Sequence, residues 1–198
     1  MKRGNNNLTG LLFGSFNPIH TGHLIIANYF IQYSDIEEIW FVVSPQNPLK
    51  TREGLLKEKD RFDLVCRAIE DNPLFSPCDL ELKMGTPSYS YKTIEKIQAD
   101  FPEKEFALII GSDNLDEFDR WKNYEKIMNM IRIYVYPRGR GTNSGFLDHP
   151  GVKLFQAPKI EISSTFIRKA IRAGKDPRYF LPRRVLDKIR QQGYYRQD

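Results

Sequence analysis

The stretch Leu8-Thr-Gly-Leu-Leu-Phe-Gly-Ser-Phe-Asn-Pro-Ile-His-Thr-Gly-His-Leu24 decides how the rest of the chain is read. Leu8 to Phe13 reads as a short buried strand, stopped by Gly14. From Thr21 to about Tyr33, apolar residues recur at Leu24, Ile25, Ala27, Phe30 and Ile31, the period of a helix. Between them, Gly14 lets the backbone turn sharply and approach a ligand, and Pro18 stiffens the loop. His20 stands just before the predicted helix and His23 falls in its first turn. A helix start offers unpaired N–H groups and positive potential, which favours phosphate. Two imidazoles there can donate to phosphate oxygens and stabilise charge that develops during transfer. The same residues also suit a plain turn into a helix. Zinc would need further ligands, yet the only other histidine is His149 and no CxxC is present. The loop also lacks the GxGxxG spacing of a dinucleotide site.

Beyond this opening the pattern repeats. Strands are expected at Ile39–Val43, Asp79–Leu82, Phe106–Ile110, Ile131–Tyr136 and Val152–Phe155. Helices are expected at Lys57–Asp71, Tyr91–Asp100, Tyr124–Met130, Ser164–Ala173 and Pro182–Gln192. Arg138–Gly151 reads as a polar loop. Alternating strands and helices imply an α/β fold: a Rossmann-like open parallel sheet with helices on both faces, closed by a short C-terminal helical segment. Several strands are almost wholly apolar, as when both sheet faces are covered. Ligands bind such sheets beyond the carboxyl ends of the strands. That rule selects the loops Gly14–His23, Ser44–Lys50, Gly111–Trp121 and Ala157–Ser164.

The 198 residues, 40% hydrophobic and 28% charged, suit one globular domain, 1–198. Two cysteines, Cys66 and Cys78, form no framework, so a reducing cytoplasmic setting is expected. No stretch approaches a membrane span, and the N-terminal apolar patch is too short for a signal-peptide core. The net charge of +5 is uneven: residues 165–198 hold 10 Lys/Arg against 3 Asp/Glu, leaving 20 against 22 elsewhere. This basic helical segment fits an anionic partner, a polyphosphate or a nucleic acid, and equally a solvated face.

Three further strand-end segments can carry chemistry. In Glu161–Arg168, Ser163, Ser164 and Thr165 are good helix caps and Arg168 follows within a turn, which suits either a capped helix or a second anion site. In Ile109–Trp121, Asp113 stands where a carboxylate can accept ribose hydroxyls or cap a short helix. Trp121 there is either core or a flat face for an aromatic ring. Lys50, after Ser44, can reach a phosphate or remain solvated. No Walker A pattern, Ser-His-Asp order or RNP pattern is present.

Together, His20-Thr-Gly-His23 and Ile162-Ser-Ser-Thr-Phe-Ile-Arg168 resemble the HxGH and ISSTxxR signatures of a nucleotidyltransferase superfamily. Within it, the chain is most similar to the bacterial nicotinate-nucleotide adenylyltransferases. The subgroup resemblance rests on Pro48-Leu-Lys50, Pro87-Ser-Tyr-Ser90, GSDNLxxFxxW at Gly111–Trp121, and Tyr179-Phe-Leu-Pro182 with Val185 and the late Gly193-Tyr-Tyr195. It implies transfer of the adenylyl group of ATP to nicotinate mononucleotide, releasing pyrophosphate and giving deamido-NAD, with Mg²⁺ on the phosphates. The alternatives are the same transfer to nicotinamide mononucleotide or phosphopantetheine, or a nucleic-acid-binding module.

By resemblance, His20, His23, Lys50 and Arg168 are catalytic. Gly14, Ser15, Phe16, His20, His23, Ser163, Ser164, Thr165 and Arg168 hold ATP, and Lys50, Ser90, Asp113, Trp121 and Lys122 hold the mononucleotide. No protein metal ligand, nucleic acid or membrane partner is implied, and a homo-oligomer is left open. The chain departs from the family at Asn17, often Asp, at Ser90, often Thr, and at Lys122, often aromatic. Asn17 brings no negative charge and is assigned no metal.

Overall fold

The structure, a computed structural model, describes residues 7–45, 54–85, 88–139, 142 and 144–196. Six parallel strands form one sheet: β1 (Leu8–Gly14), β2 (Glu38–Val43), β3 (Phe75–Cys78), β4 (Glu105–Gly111), β5 (Arg132–Tyr136) and β6 (Val152–Leu154). Their spatial order is β3-β2-β1-β4-β5-β6. The chain builds outward from β1 to β3, then crosses back to place β4 on the other side of β1. The order thus reverses between β1 and β4, where Leu12 pairs with Ile109. A crevice opens there at the carboxyl ends of the strands.

Side-chain alternation along each strand splits the core into two layers. Leu8, Leu12, Phe41, Val43, Ala107 and Ile109 share one layer with α1 (Thr21–Tyr33), α2 (Glu58–Ile69), α7 (Ser164–Arg172) and α8 (Arg183–Gln192). Leu11, Val42, Leu108 and Ile110 share the other with α4 (Ser90–Asp100), α5 (Ser112–Leu115) and α6 (Tyr124–Met130). The basic C-terminal segment is therefore part of the fold's core: Ile167, Val185, Leu186 and Ile189 are all buried.

One element differs from the sequence reading. Asp79–Leu82 is not a strand; Leu80–Lys83 form the short helix α3, and the strand lies just before it at Phe75–Cys78. Pro77 hides that strand from pattern reading, because proline donates no ladder hydrogen bond. It is tolerated because β3 is an edge strand, paired only with β2. The Leu-Glu-Leu alternation was also misleading, for Glu81 is buried while Leu80 and Leu82 are half-buried. The 138–151 loop contains a 3₁₀ turn at Gly145–Asp148, whose Phe146 packs edge-on to Phe118 and Tyr124. Among the described residues, no helix is long and apolar enough to cross a membrane.

Candidate active site

A cleft of about 510 Å³ lies over the β1/β4 reversal, between the loop after β1, the start of α7, the start of α4 and the segment before α6. The loop after β1 is tightly specified. Phe16 sits at φ +44°, a left-handed conformation that costs a non-glycine residue energy. Burial against Phe41 and an edge contact with His23, ring centres 5.8 and 5.1 Å away, hold it there. Gly14 does not itself adopt the turn. A Cβ there would meet the Phe16 ring at 2.9 Å, so its role is to admit that ring.

The two histidines form one unit. Their rings stack with centres 3.7 Å apart, and the His20 backbone N–H donates to His23 Nδ1 at 3.2 Å. That bond fixes the tautomer: neutral His23 carries its proton on Nε2. His20 is 4% exposed, and its Nδ1 is buried with no hydrogen-bond partner among the described residues. Gly22 makes the packing possible, since a Cβ there would meet Ile160 at 2.8 Å and His20 Nδ1 at 3.0 Å. Burial, and secondarily the Arg138 guanidinium, lower the His20 pKa to about 4. Burial, His20 and Arg138 likewise hold His23 well below the usual imidazole range. Both rings are neutral at pH 7, each with a single N–H to donate.

The second wall of the cleft comes from the other end of the chain. Ser163 caps α7, its hydroxyl accepting from the Phe166 N–H at 3.1 Å. The Ser164 hydroxyl donates to Pro18 O at 2.9 Å, and Arg168 Nη1 donates to Asn17 O at 2.8 Å. Arg168 Nη2 also reaches Thr165 Oγ1 at 3.3 Å. These bonds join the HxGH loop to the ISSTxxR helix across about 150 positions of sequence. The Ser164 proton is committed to Pro18, so toward a phosphate this residue has its backbone N–H to offer.

On the opposite side, Ser90 begins α4, a helix with no side-chain cap and no acidic residue in its first turn. Trp121 lines the cleft half-buried, its ring 5.3 Å from Phe118, and Lys122 Nζ lies 4.6 Å above the Tyr89 ring. Among the sequence-nominated residues, Gly14, Ser15, Phe16, His20, His23, Ser90, Trp121, Lys122, Ser163, Ser164, Thr165 and Arg168 all line the cleft. Asp113 does not. It stands exposed at the end of β4, 3.6 Å from Arg138 Nη1. Lys50 lies outside the described residues.

Three residues were missed by sequence reasoning. Arg138 lines the cleft and disfavours protonation of the histidine pair; the strand-end rule applied to β5 would have found it. Arg61 is fully buried, with no ion pair to a carboxylate among the described residues. Its guanidinium donates to the carbonyls of Ser15, Ser44, Pro45 and Leu56 at 2.6–3.0 Å, tying the loops after β1 and β2 together. Glu81 also lines the cleft, buried, with Oε1 accepting from Thr93 Oγ1 at 2.8 Å; burial raises its pKa. Arg138, Arg168 and Lys122 line the same cleft as this acid that resists ionisation, so the cleft suits an anionic ligand.

The cytidylyltransferase-like family matches residues 11–170. A probable nicotinate-nucleotide adenylyltransferase of Cytophaga hutchinsonii is 47% identical over 186 residues, covering 94% of this chain and 97% of that protein. One of Bacteroides thetaiotaomicron is 47% identical over 198 residues, 100% of this chain and 96% of the other. Among solved structures, Plasmodium falciparum nicotinic acid mononucleotide adenylyltransferase complexed with NaAD shares the fold, with a TM-score of 0.79 at 20% identity over 95% of this chain and 97% of that one. A cleft walled by joined HxGH and ISSTxxR segments, on a chain nearly half identical to these relatives end to end, places it in the cytidylyltransferase-like family, among the nicotinate-nucleotide adenylyltransferases.

Proposed function

We propose that this chain transfers the adenylyl group of ATP to nicotinate mononucleotide. A 5′-phosphate oxygen of the mononucleotide attacks the α-phosphorus of ATP. The new P–O bond forms as the bond to the β-phosphate oxygen breaks, and pyrophosphate leaves with deamido-NAD as the other product. The observation that carries this reading is the joining of the two motif segments around one cleft, through Ser164 to Pro18 and Arg168 to Asn17.

The chemistry needs no protein nucleophile; it needs positioning and stabilisation of negative charge. His20 and His23 donate to phosphate oxygens, and the anion in turn favours their charged forms. The α7 N-terminus, through the N–H groups of Ser164 and Thr165, and Arg168 receive the triphosphate and the departing pyrophosphate. Arg138 adds charge on the β5 side, and Lys50 completes the phosphate contacts. Trp121 stacks on the pyridine ring, while the uncapped start of α4 at Ser90 and the backbone at Lys122 take its carboxylate. Asp113 serves the ribose from the rim or, through Arg138, orders the site.

Among the described residues, no group of three or more His, Cys, Asp or Glu could hold a metal ion. Glu81 and Glu117 are carboxylates in the cleft lining, which otherwise offers imidazoles, guanidiniums, hydroxyls and amides that suit phosphate. A divalent cation, Mg²⁺ in our reading, enters as part of the ATP substrate. One sheet with a shared core supports a single nucleotidyltransferase domain over 1–198, and free Cys66 and Cys78 fit a cytoplasmic setting.

Incubation with ATP, Mg²⁺ and nicotinate mononucleotide tests the proposal. Pyrophosphate release is expected. No release overturns it, and faster release with nicotinamide mononucleotide or phosphopantetheine reassigns the acceptor.

A further inference from the structure

Asn17 is the one residue of the HxGH loop with no assigned role, yet it is among the most connected side chains in the molecule. It is 6% exposed. Its Nδ2 donates to Gly54 O at 2.8 Å, and its Oδ1 accepts from the Leu56 N–H at 3.2 Å and from the Tyr195 hydroxyl at 2.8 Å. Its carbonyl accepts from Arg168. One residue thus gathers the segment before α2, the ISSTxxR helix and the turn that follows α8.

The Tyr195 end of this arrangement is built with care. α8 ends at Gly193 with φ +67°, which any glycine tolerates. Tyr195 then adopts φ +64°, a conformation a tyrosine holds only where its surroundings demand it. The result folds the chain back so that a 7% exposed phenol reaches Asn17, 178 positions away in sequence. Burial keeps that phenol protonated far above the usual range, so it is a permanent donor. An oxygen that accepts two hydrogen bonds cannot rotate the amide without losing both, and the Asn17 carbonyl that receives Arg168 is held with it.

We propose that Tyr195 is a positioning residue for the triphosphate: its hydroxyl locks Asn17, and Asn17 fixes where the Arg168 guanidinium stands in the cleft. Tyr195 does not line the cleft and touches no substrate. The inference rests on the adenylyl-transfer reading for the identity of the ligand. The Asn17 amide supplies the donor to Gly54 O that an ionised carboxylate would lack.

The experiment compares Tyr195→Phe, which keeps the ring and removes only the hydroxyl, with wild type. ATP dissociation constants come from calorimetry, KM values for ATP and for the mononucleotide from pyrophosphate release, and melting temperatures from the same preparations. Y195F is expected to bind ATP about five- to tenfold more weakly, the loss of one buried neutral hydrogen bond. KM for ATP should rise in parallel, and KM for the mononucleotide should stay within about twofold. In the R168K background Y195F should add almost nothing, because both changes act through one contact. An unchanged ATP Kd overturns the proposal, as does an additive double variant or an equal rise in both KM values with a lowered melting temperature. A wild-type chain that binds no ATP overturns the reading of the cleft as well.

Discussion

The two sides of the cleft are held in different ways. His20, His23, Ser164 and Arg168 stand on groups that are themselves hydrogen-bonded, stacked or buried, down to Gly22 and Asn17. Among the described residues, the Trp121 and Lys122 side chains are held by ring contacts, Trp121 tilted against Phe118 and Lys122 over Tyr89, with Lys122 exposed. On the proposed reaction, the difference follows from what each side would do. Transition-state charge on phosphorus is stabilised only by donors already in place, since reorganising them during reaction would cost what they contribute. Recognition of a flat ring is satisfied by a face and one or two amides, and tolerates small movements.

Breaking the rigid side should therefore hurt chemistry most. His23→Asn retains an acceptor for the His20 N–H, through the amide oxygen, while removing the Nε2–H. Its kcat should fall about 10²–10³-fold with little change in melting temperature. A kcat near wild type would remove His23 from the charge-stabilising set. Loss on the other side should read as binding. Trp121→Ala is expected to raise KM for the mononucleotide about tenfold or more, with KM for ATP unchanged, and Trp121→Phe should recover part of it. Equal changes in both KM values would mean that Trp121 supports the whole cleft rather than the ring.

Titration sharpens the contrast further. With the His20 pKa lowered to about 4 and His23 held low as well, the empty cleft carries neutral imidazoles at pH 7. A polyanion raises both, so ATP binding takes up protons and tightens as pH falls from the raised values toward about 4. The enthalpy of binding should then depend on the ionisation enthalpy of the buffer. An enthalpy independent of buffer would show that the rings stay neutral donors throughout. Without ligand the sign reverses. The unfolded chain protonates its histidines near the ordinary value of 6.5 and the folded chain does not, so stability falls as pH drops from there toward about 4. Ser164→Ala has the smallest expected effect. It removes only the hydroxyl bond to Pro18 and should cost about 0.5–1.5 kcal/mol of stability, with a modest rise in KM for ATP. A melting temperature equal to wild type would show that bond to be dispensable.

The alternation of strand and helix, and the two segments that wall the cleft, could be read from the chain because they are local: an apolar run, a glycine, a capped helix start. The strand at Phe75–Cys78 could not, since Pro77 is acceptable only at an edge, and edges are settled by how strands assemble. Arg61 has the look of an ordinary helix-surface arginine, flanked by Asp60 and Asp63, until the fold surrounds it with four carbonyls. Asn17 and Tyr195 carry no pattern between them. Their partnership exists only once α8 has packed and the turn after it has closed.

The Pro18–Ser164 bond spans 146 positions, and that distance bears on how the molecule comes into being. Synthesis proceeds from the N-terminus and folding can begin before it ends. The histidine loop and the central strand β1 are therefore made well before α7 and α8. Those helices bring the Ser164 wall of the cleft, and Ile167, Val185 and Ile189, which join Leu8 and Leu12 in one core layer. Until α7 and α8 are made, that face of the sheet has only α1 and α2 to cover it, and the cleft lacks one of its walls.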